Sequence, residues 1–291
     1  MIDSVNNYKD YLTKKGKSKN TIYAYITDIG LYLKFLTRKE IDLYKSNNQT
    51  ITLYIQNLVD QGKSKKSISR NIVSLRKFFS YLKDEKLIKE IPKIEYKNSK
   101  NKTLPQILTI EEVDTIINIT EKNCFKGIRD NALLELMYAT GMKVTELINL
   151  GVENVNLDSN YIKCIDGNHS ERIIPIGKSA HNSLIQYFKI RRRITQGEIS
   201  NLFVNLSGNK LTRQGVWGIV KEYSKKAGID KDISLNTFRH SFAVHLLQNG
   251  ANARVVQKLL GNQVMTYMDT YYEIINNDKI NYTYIHTHPR A

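Results

Sequence analysis

Cysteine, proline and tryptophan are scarce in this chain of 291 residues, at two, four and one. The two cysteines, Cys124 and Cys164, match no paired metal-ligand spacing, and a lone disulfide is unusual in a reducing compartment. Both are expected as buried free thiols. No uninterrupted apolar run approaches the roughly 18 residues that a membrane span needs, and the opening stretch MIDSVNNYKDYL has no apolar core of the kind a signal peptide carries. A cytoplasmic protein with no membrane partner is expected. Acidic side chains are also few, 28 Asp and Glu against 44 Lys and Arg, for a net charge of +16. What remains is ordinary for a folded protein, 41% hydrophobic and 25% charged residues, which excludes a fibrous, collagenous or disordered chain. The length allows two domains, each with its own core.

The positive excess is not spread evenly. Residues 1–100 hold 21 basic and 10 acidic side chains, so +11 of the +16 falls in the first third. Such a domain carries the electrostatic footprint of a nucleic-acid binder, because each phosphate contact releases counterions. The plainer alternative is a surface that keeps a lysine-rich protein soluble.

The first third reads as helices. Ile22, Ile26, Ile29, Leu33 and Leu36 step by four and three, one stripe of an α-helix, and Ile68, Ile72, Leu75, Phe79 and Leu82 repeat the pattern. Two shorter amphipathic helices end at Gly16 and Gly62. The two long helices share an opening: Gly16-Lys17-Ser18-Lys19-Asn20-Thr21 and Gly62-Lys63-Ser64-Lys65-Lys66-Ser67. Helix starts attract anions through unpaired N–H groups and the macrodipole. Lys17, Ser18, Lys19, Lys63, Ser64, Lys65 and Lys66 are therefore candidate phosphate contacts, the bland alternative being two ordinary capped starts with solvated lysines.

Residues 88–107 carry two of the four prolines in a polar, basic run without periodicity. This places a first domain over 1–90, a linker over 91–107 and a second domain over 108–291. The second domain opens with Thr109-Ile110-Glu111-Glu112, a helix start with acidic first-turn residues. It is helix-rich and interrupted once, by YIKCI and RIIPI around Asp166-Gly167, a small hairpin with Pro175 on an edge strand. Further on, Thr212 stands at an N-cap position, followed by Arg213 and Gln214, the side chains suited to bidentate contacts with guanine and adenine edges. Trp217 and Val220 on the same helix are expected in the core.

The stretch LNTFRHSFAVHLLQNGANARVVQKLLGNQVMTYMDTYYEI, from Leu235, completes an ordered set with LPQILTIEEVDTII, YATGMKVTELINL, SERIIPIG and LTRQGVW. Together these boxes resemble the tyrosine recombinase (phage integrase) family, closest to its Xer-type members, over nearly the whole chain. The resemblance implies a mainly α, two-domain C-clamp around duplex DNA. An N-terminal helical, SAM-like core-binding domain would be joined to a mostly helical catalytic domain with a small β-hairpin. It also implies a reaction without metal or other cofactor. A tyrosine attacks the scissile phosphodiester, a 3′-phosphotyrosine forms and a 5′-hydroxyl is freed, and a partner strand's hydroxyl reverses the step.

Carried over by position, Tyr271 is the nucleophile and Arg239 the second arginine, and the other positions depart from the pattern. The first arginine is Lys143, the first histidine is Asn236, the second is Asn262, and the hairpin lysine position is Gly167. Lys143 keeps charge but loses the planar fork. Asn236 and Asn262 can donate a hydrogen bond but cannot exchange a proton near neutral pH. Lys163 and His169 on the hairpin are candidate replacement acids. His240 and His245 admit a structural or a chemical role, Tyr272 is expected to pack, and His286 and His288 lack further metal ligands.

Two functions follow. One is a site-specific recombinase that cuts and rejoins duplex DNA through Tyr271. The other is a catalytically impaired homologue that binds DNA or assists a partner recombinase. A type IB topoisomerase would share the chemistry but not the Xer-like boxes. By resemblance the chain is a monomer when free and a homo- or hetero-tetramer on DNA, the residues after Tyr271 docking on a neighbouring protomer.

Overall fold

The computed structural model describes residues 2–94, 96, 104–167, 169–195, 199–261 and 268–276. It separates into two compact units, Met1–Lys102 and Thr103–Ala291.

The first unit is all helical: α1 (Ile2–Lys14), α2 (Lys19–Arg38), α3 (Asn48–Asp60) and α4 (Lys65–Asp84). The two apolar stripes read from sequence meet in one core. Ile22, Ile29 and Leu36 of α2 are buried with Ile68, Ile72, Leu75, Phe79 and Leu82 of α4. A polar clasp fixes the crossing of these helices: Asp28 of α2 is buried and accepts from Arg70 and from Ser74 Oγ of α4, each at 2.7 Å. The start of the expected linker is tied down, because Arg76 donates to the Ile94 carbonyl at 2.6 Å and Lys93 N–H donates to Asn48 at 2.8 Å.

The second unit contains α5 (Ile110–Asn118), α6 (Phe125–Thr140), α7 (Val144–Asn149), α8 (Lys178–Ile194), α9 (Arg213–Lys226), α10 (Thr237–Gln248) and α11 (Ala253–Leu260), with a further helical stretch over 268–276. Thr109 caps α5 in a capping box with Glu112, as its sequence implies. The hairpin is present as β2 (Tyr161–Ile165) and β3 (Glu171–Pro175), and it gains a strand that sequence did not show, β1 (Val155–Asn156). The order is β1-β2-β3, antiparallel throughout, so Pro175 does lie on an edge strand. One core joins α5 to α9 with the sheet, and a second cluster joins α10, α11 and the stretch 268–276.

Three expectations about packing are corrected. Cys164 is buried but Cys124 is exposed, because it occupies the N-cap of α6, where its Sγ accepts from Gly127 N–H at 3.4 Å. Val220 is core, whereas Trp217 is 44% exposed, its ring lying under Lys221 Nζ at 4.7 Å. Tyr272 is 43% exposed because the buried face of its helix is set by Met268, Tyr271, Ile274 and Ile275. No helix among the described residues is long and apolar enough to cross a membrane.

Candidate active site

The site is organised by where two helices stop. α6 ends at Gly141 with φ +56°, and α11 ends at Gly261 with φ +64°, both left-handed caps that glycine adopts without strain. A Cβ on Gly141 would also stand 2.4 Å from the Phe242 ring. Helix C-termini leave carbonyls without partners and carry the negative end of the macrodipole. Arg239, on the first turn of α10, answers both: Nη1 donates to the Gly141 carbonyl at 2.7 Å and Nη2 to the Leu260 carbonyl at 2.8 Å. The Gly-Met-Lys and Leu-Leu-Gly boxes, far apart in sequence, thus converge on one guanidinium. Burial lowers the Arg239 pKa from its ordinary value, against the opposing pull of Glu146 and Tyr271.

Tyr271 reaches this corner from the stretch 268–276 of the same chain. It is 2% exposed, its phenol acts electrostatically on Arg239, and its hydroxyl lies 3.0 Å from Nδ1 of His240. The structure therefore brings Tyr271, Arg239 and His240 together, and sequence had left His240 undecided. His245 is committed elsewhere, with Nδ1 2.8 Å from the Tyr138 hydroxyl. Neighbouring Ser241 accepts from Leu108 N–H at 2.8 Å, tying the start of the unit to α10.

Lys143 is the residue before α7, exposed, two positions beyond the Gly141 carbonyl. Its backbone N–H donates to Glu146 at 2.8 Å. Glu146 is buried and forms a two-pronged pair with Arg172 of β3 at 3.1 and 2.7 Å. Arg172 Nε in turn donates to the Leu259 carbonyl at 2.8 Å. Burial raises the Glu146 pKa, but the hydrogen bonds from Arg172 and Lys143 N–H with the Arg172 charge outweigh it and hold the carboxyl below its ordinary range. This network knits α7, the hairpin and the end of α11 around the arginine corner. Its long-range bonds are not legible in sequence, because Arg172 is 26 positions from Glu146 and 87 from Leu259.

Asn236 is exposed at the N-cap of α10 and lines an open groove with Arg213, Gln214, Trp217 and Ser234. Thr212 caps α9 by accepting from Gly215 N–H at 3.0 Å, which leaves Arg213 and Gln214 exposed on its first turn. Gly167 is exposed on the hairpin, His169 is exposed there with φ +60°, and Lys163 pairs with Glu171 at 2.8 Å. Asn262, His286 and His288 lie outside the described residues. In the first unit Ser18 and Ser64 cap their helices alike, each accepting at 3.2 Å from the residue three ahead. Lys17, Lys19, Lys63, Lys65 and Lys66 are exposed beside them. Among the described residues no cluster of three or more His, Cys, Asp or Glu is placed to hold a metal.

A helical basic unit followed by a mostly helical unit with one small sheet and an arginine–tyrosine corner is the architecture of an integrase-type strand-transfer protein. The Phage integrase family matches residues 106–277, and the Phage integrase, N-terminal SAM-like domain matches residues 5–86. The chain is 38% identical to tyrosine recombinase XerD of Staphylococcus haemolyticus over 282 residues, covering 96% of this chain and 95% of the relative. It is 36% identical to XerD of Listeria innocua serovar 6a over 300 residues, covering 100% of both. Among solved structures, XerH site-specific recombinase bound to a palindromic difH substrate in a post-cleavage complex superposes with a TM-score of 0.78 at 21% identity, over 91% of this chain and 79% of that one. A lambda integrase dimer bound to a COC′ core site gives 0.72 at 18% identity, over 93% and 94%. The chain belongs to the phage integrase family of tyrosine recombinases.

Proposed function

We propose that this chain is a site-specific recombinase that cuts and rejoins duplex DNA, with Tyr271 as its nucleophile. It works in the cytoplasm, as a monomer when free and as a homo- or hetero-tetramer on DNA. The observation that carries the proposal is the buried corner in which one chain sets its own Tyr271 beside an arginine fixed by two helix ends.

The basic first unit supplies sequence-independent grip. Helix N-termini at Ser18 and Ser64 with their lysines suit backbone phosphates, and Arg213 and Gln214 suit base edges. Arg239 stabilises charge on the scissile phosphate, and its fixed guanidinium need not reorganise as that charge develops. Lys143 and Asn236 add a cation and a hydrogen-bond donor. The Tyr271 oxygen bonds to phosphorus as the bond to the 5′ oxygen breaks, and the phosphotyrosine keeps the bond energy for religation, so no metal or nucleotide is needed.

The test is a nicked duplex carrying the sequence that the full-length protein selects from a random pool. A covalent protein–DNA adduct is expected from the wild type and none from Tyr271→Phe, with binding that weakens steeply as salt rises. Specific binding without any adduct would instead identify a DNA-binding homologue that does not cleave.

A further inference from the structure

The phenol of Tyr271 must lose a proton to attack phosphorus, and the position that the family gives to a histidine holds Asn236, whose amide cannot accept one. One imidazole nitrogen does stand at the reacting atom. His240 Nδ1 lies 3.0 Å from the Tyr271 oxygen, and the rings sit 5.8 Å apart at 58°, a meeting of ring edges through a hydrogen bond and not a stack. The bond joins α10 to the stretch 268–276, and these two elements pack together in one core cluster that includes Tyr271.

We infer that His240 is the proton acceptor for Tyr271 during strand cleavage. The inference rests on the recombinase reading and assigns a catalytic role to a residue outside the set carried over by resemblance.

Geometry comes first: donor and acceptor are already within hydrogen-bond reach. To accept, Nδ1 needs its lone pair, so the ring must be neutral with its proton on Nε2. Burial, and then the adjacent Arg239 charge, push the His240 pKa down to about 4, which keeps the ring neutral at physiological pH. Among the described residues, Arg239 on its own helix acts on it through charge and the Tyr271 phenol meets it from the stretch 268–276. Phosphate bound at Arg239 brings negative charge to this corner and raises the basicity of the imidazole when the substrate is in place.

The step balances. The proton passes from the phenol oxygen to Nδ1, giving an imidazolium, while the phenol oxygen bonds to phosphorus. The phosphorus–O5′ bond breaks, and the leaving oxygen takes a proton from water. In religation a 5′-hydroxyl attacks phosphorus and yields its proton to the hydroxide left from that water, and the departing tyrosine oxygen recovers its proton from the His240 imidazolium. Positioned acid–base groups of this kind are typically worth about 100- to 10,000-fold.

The test measures single-turnover adduct formation on the selected nicked duplex by wild type, His240→Ala and His240→Asn. The asparagine variant keeps a polar atom near the place of Nδ1 and guards against loss of the fold, which DNA binding reports. Both variants should bind within about twofold of wild type yet form adduct about 100-fold more slowly or worse. Their rate should climb about tenfold per pH unit where the wild-type rate is level, because hydroxide replaces the missing base. A substrate with sulfur in place of the leaving 5′ oxygen, which departs without a proton, should not restore them. If His240→Asn cleaves like wild type, or if the sulfur substrate restores the variants, the assignment to His240 is overturned while the recombinase reading stands. A wild type that binds the duplex and never forms adduct overturns both.

Discussion

Arg239 and Lys143 are the two cations proposed for the scissile phosphate, and the fold holds them in opposite ways. Arg239 is 7% exposed and locked by the carbonyl ends of α6 and α11. The Lys143 side chain is 46% exposed, its Nζ 4.0 Å from Glu146. The contrast extends to the whole site. The positions that keep the family's residues, Arg239 and Tyr271, are buried, and the described positions that depart from the pattern, Lys143, Gly167 and Asn236, are all exposed. A buried catalytic side chain also completes the fold, so replacing it removes hydrogen bonds that water cannot supply. An exposed one can change at the expense of chemistry alone. Under the proposed assignment, the departures fall where folding does not constrain the side chain.

The contrast is tested most severely at Arg239. Arg239→Ala strips both helix-end carbonyls of their donor, each at a cost of about 1–3 kcal/mol. Adduct formation on the nicked duplex should fall by at least about 100- to 1,000-fold, the typical loss for one transition-state donor. Arg239→Lys keeps the charge but cannot span two carbonyls and a phosphate with a point ammonium. It should melt below wild type and cleave about 100-fold more slowly. An alanine variant that melts and cleaves as wild type would dissolve the distinction between the two halves.

Glu146 tests the buried side through stability and pH. Its pair with Arg172 is 4% and 12% exposed, and breaking such a pair by removing one partner costs about 3–5 kcal/mol. Glu146→Gln should therefore lower the denaturant midpoint sharply at neutral pH. Because the folded-state pKa is depressed, the ionised carboxylate stabilises the fold above the unfolded value near 4.3, and this contribution fades as pH falls through the lower folded value. The gap between variant and wild type should then be widest at neutral pH and shrink below about pH 4. A gap that stays constant with pH would show that the Glu146 charge contributes nothing.

The same division explains what could be read from sequence. The stripes of α2 and α4, their Ser18 and Ser64 caps and the Thr109 capping box are local signals, each decided within a few residues. Glycine at positions 141 and 261 marks helix ends, but nothing local says that the Gly141 and Leu260 carbonyls share one arginine 98 and 21 positions away. The two-residue strand β1 is too short to show a period, and it exists because β2 offers it an edge. Trp217 was expected in the core on residue type, yet its place on α9 faces the groove with Arg213 and Gln214. His240 could be counted but not assigned, since its role depends on Tyr271, 31 positions downstream.

The exposed side of the comparison predicts the smallest effect, and in the opposite direction. Lys143→Ala should shift stability by no more than about 0.5 kcal/mol, since the side chain lost is nearly half exposed, its Nζ only reaches 4.0 Å from Glu146, and the Lys143 N–H bond to Glu146 belongs to the backbone. Lys143→Arg should raise the rate of adduct formation about tenfold, because a planar fork engages two phosphate oxygens where an ammonium engages one. Glu146 stands close by, but its carboxylate already accepts both prongs of Arg172 and the Lys143 N–H, so it competes weakly for the new guanidinium. The same single-turnover assay decides the matter. A Lys143→Arg protein that cleaves more slowly than wild type would mean that position 143 no longer faces the phosphate, and that the exposed half of the site has lost its alignment as well as its residues.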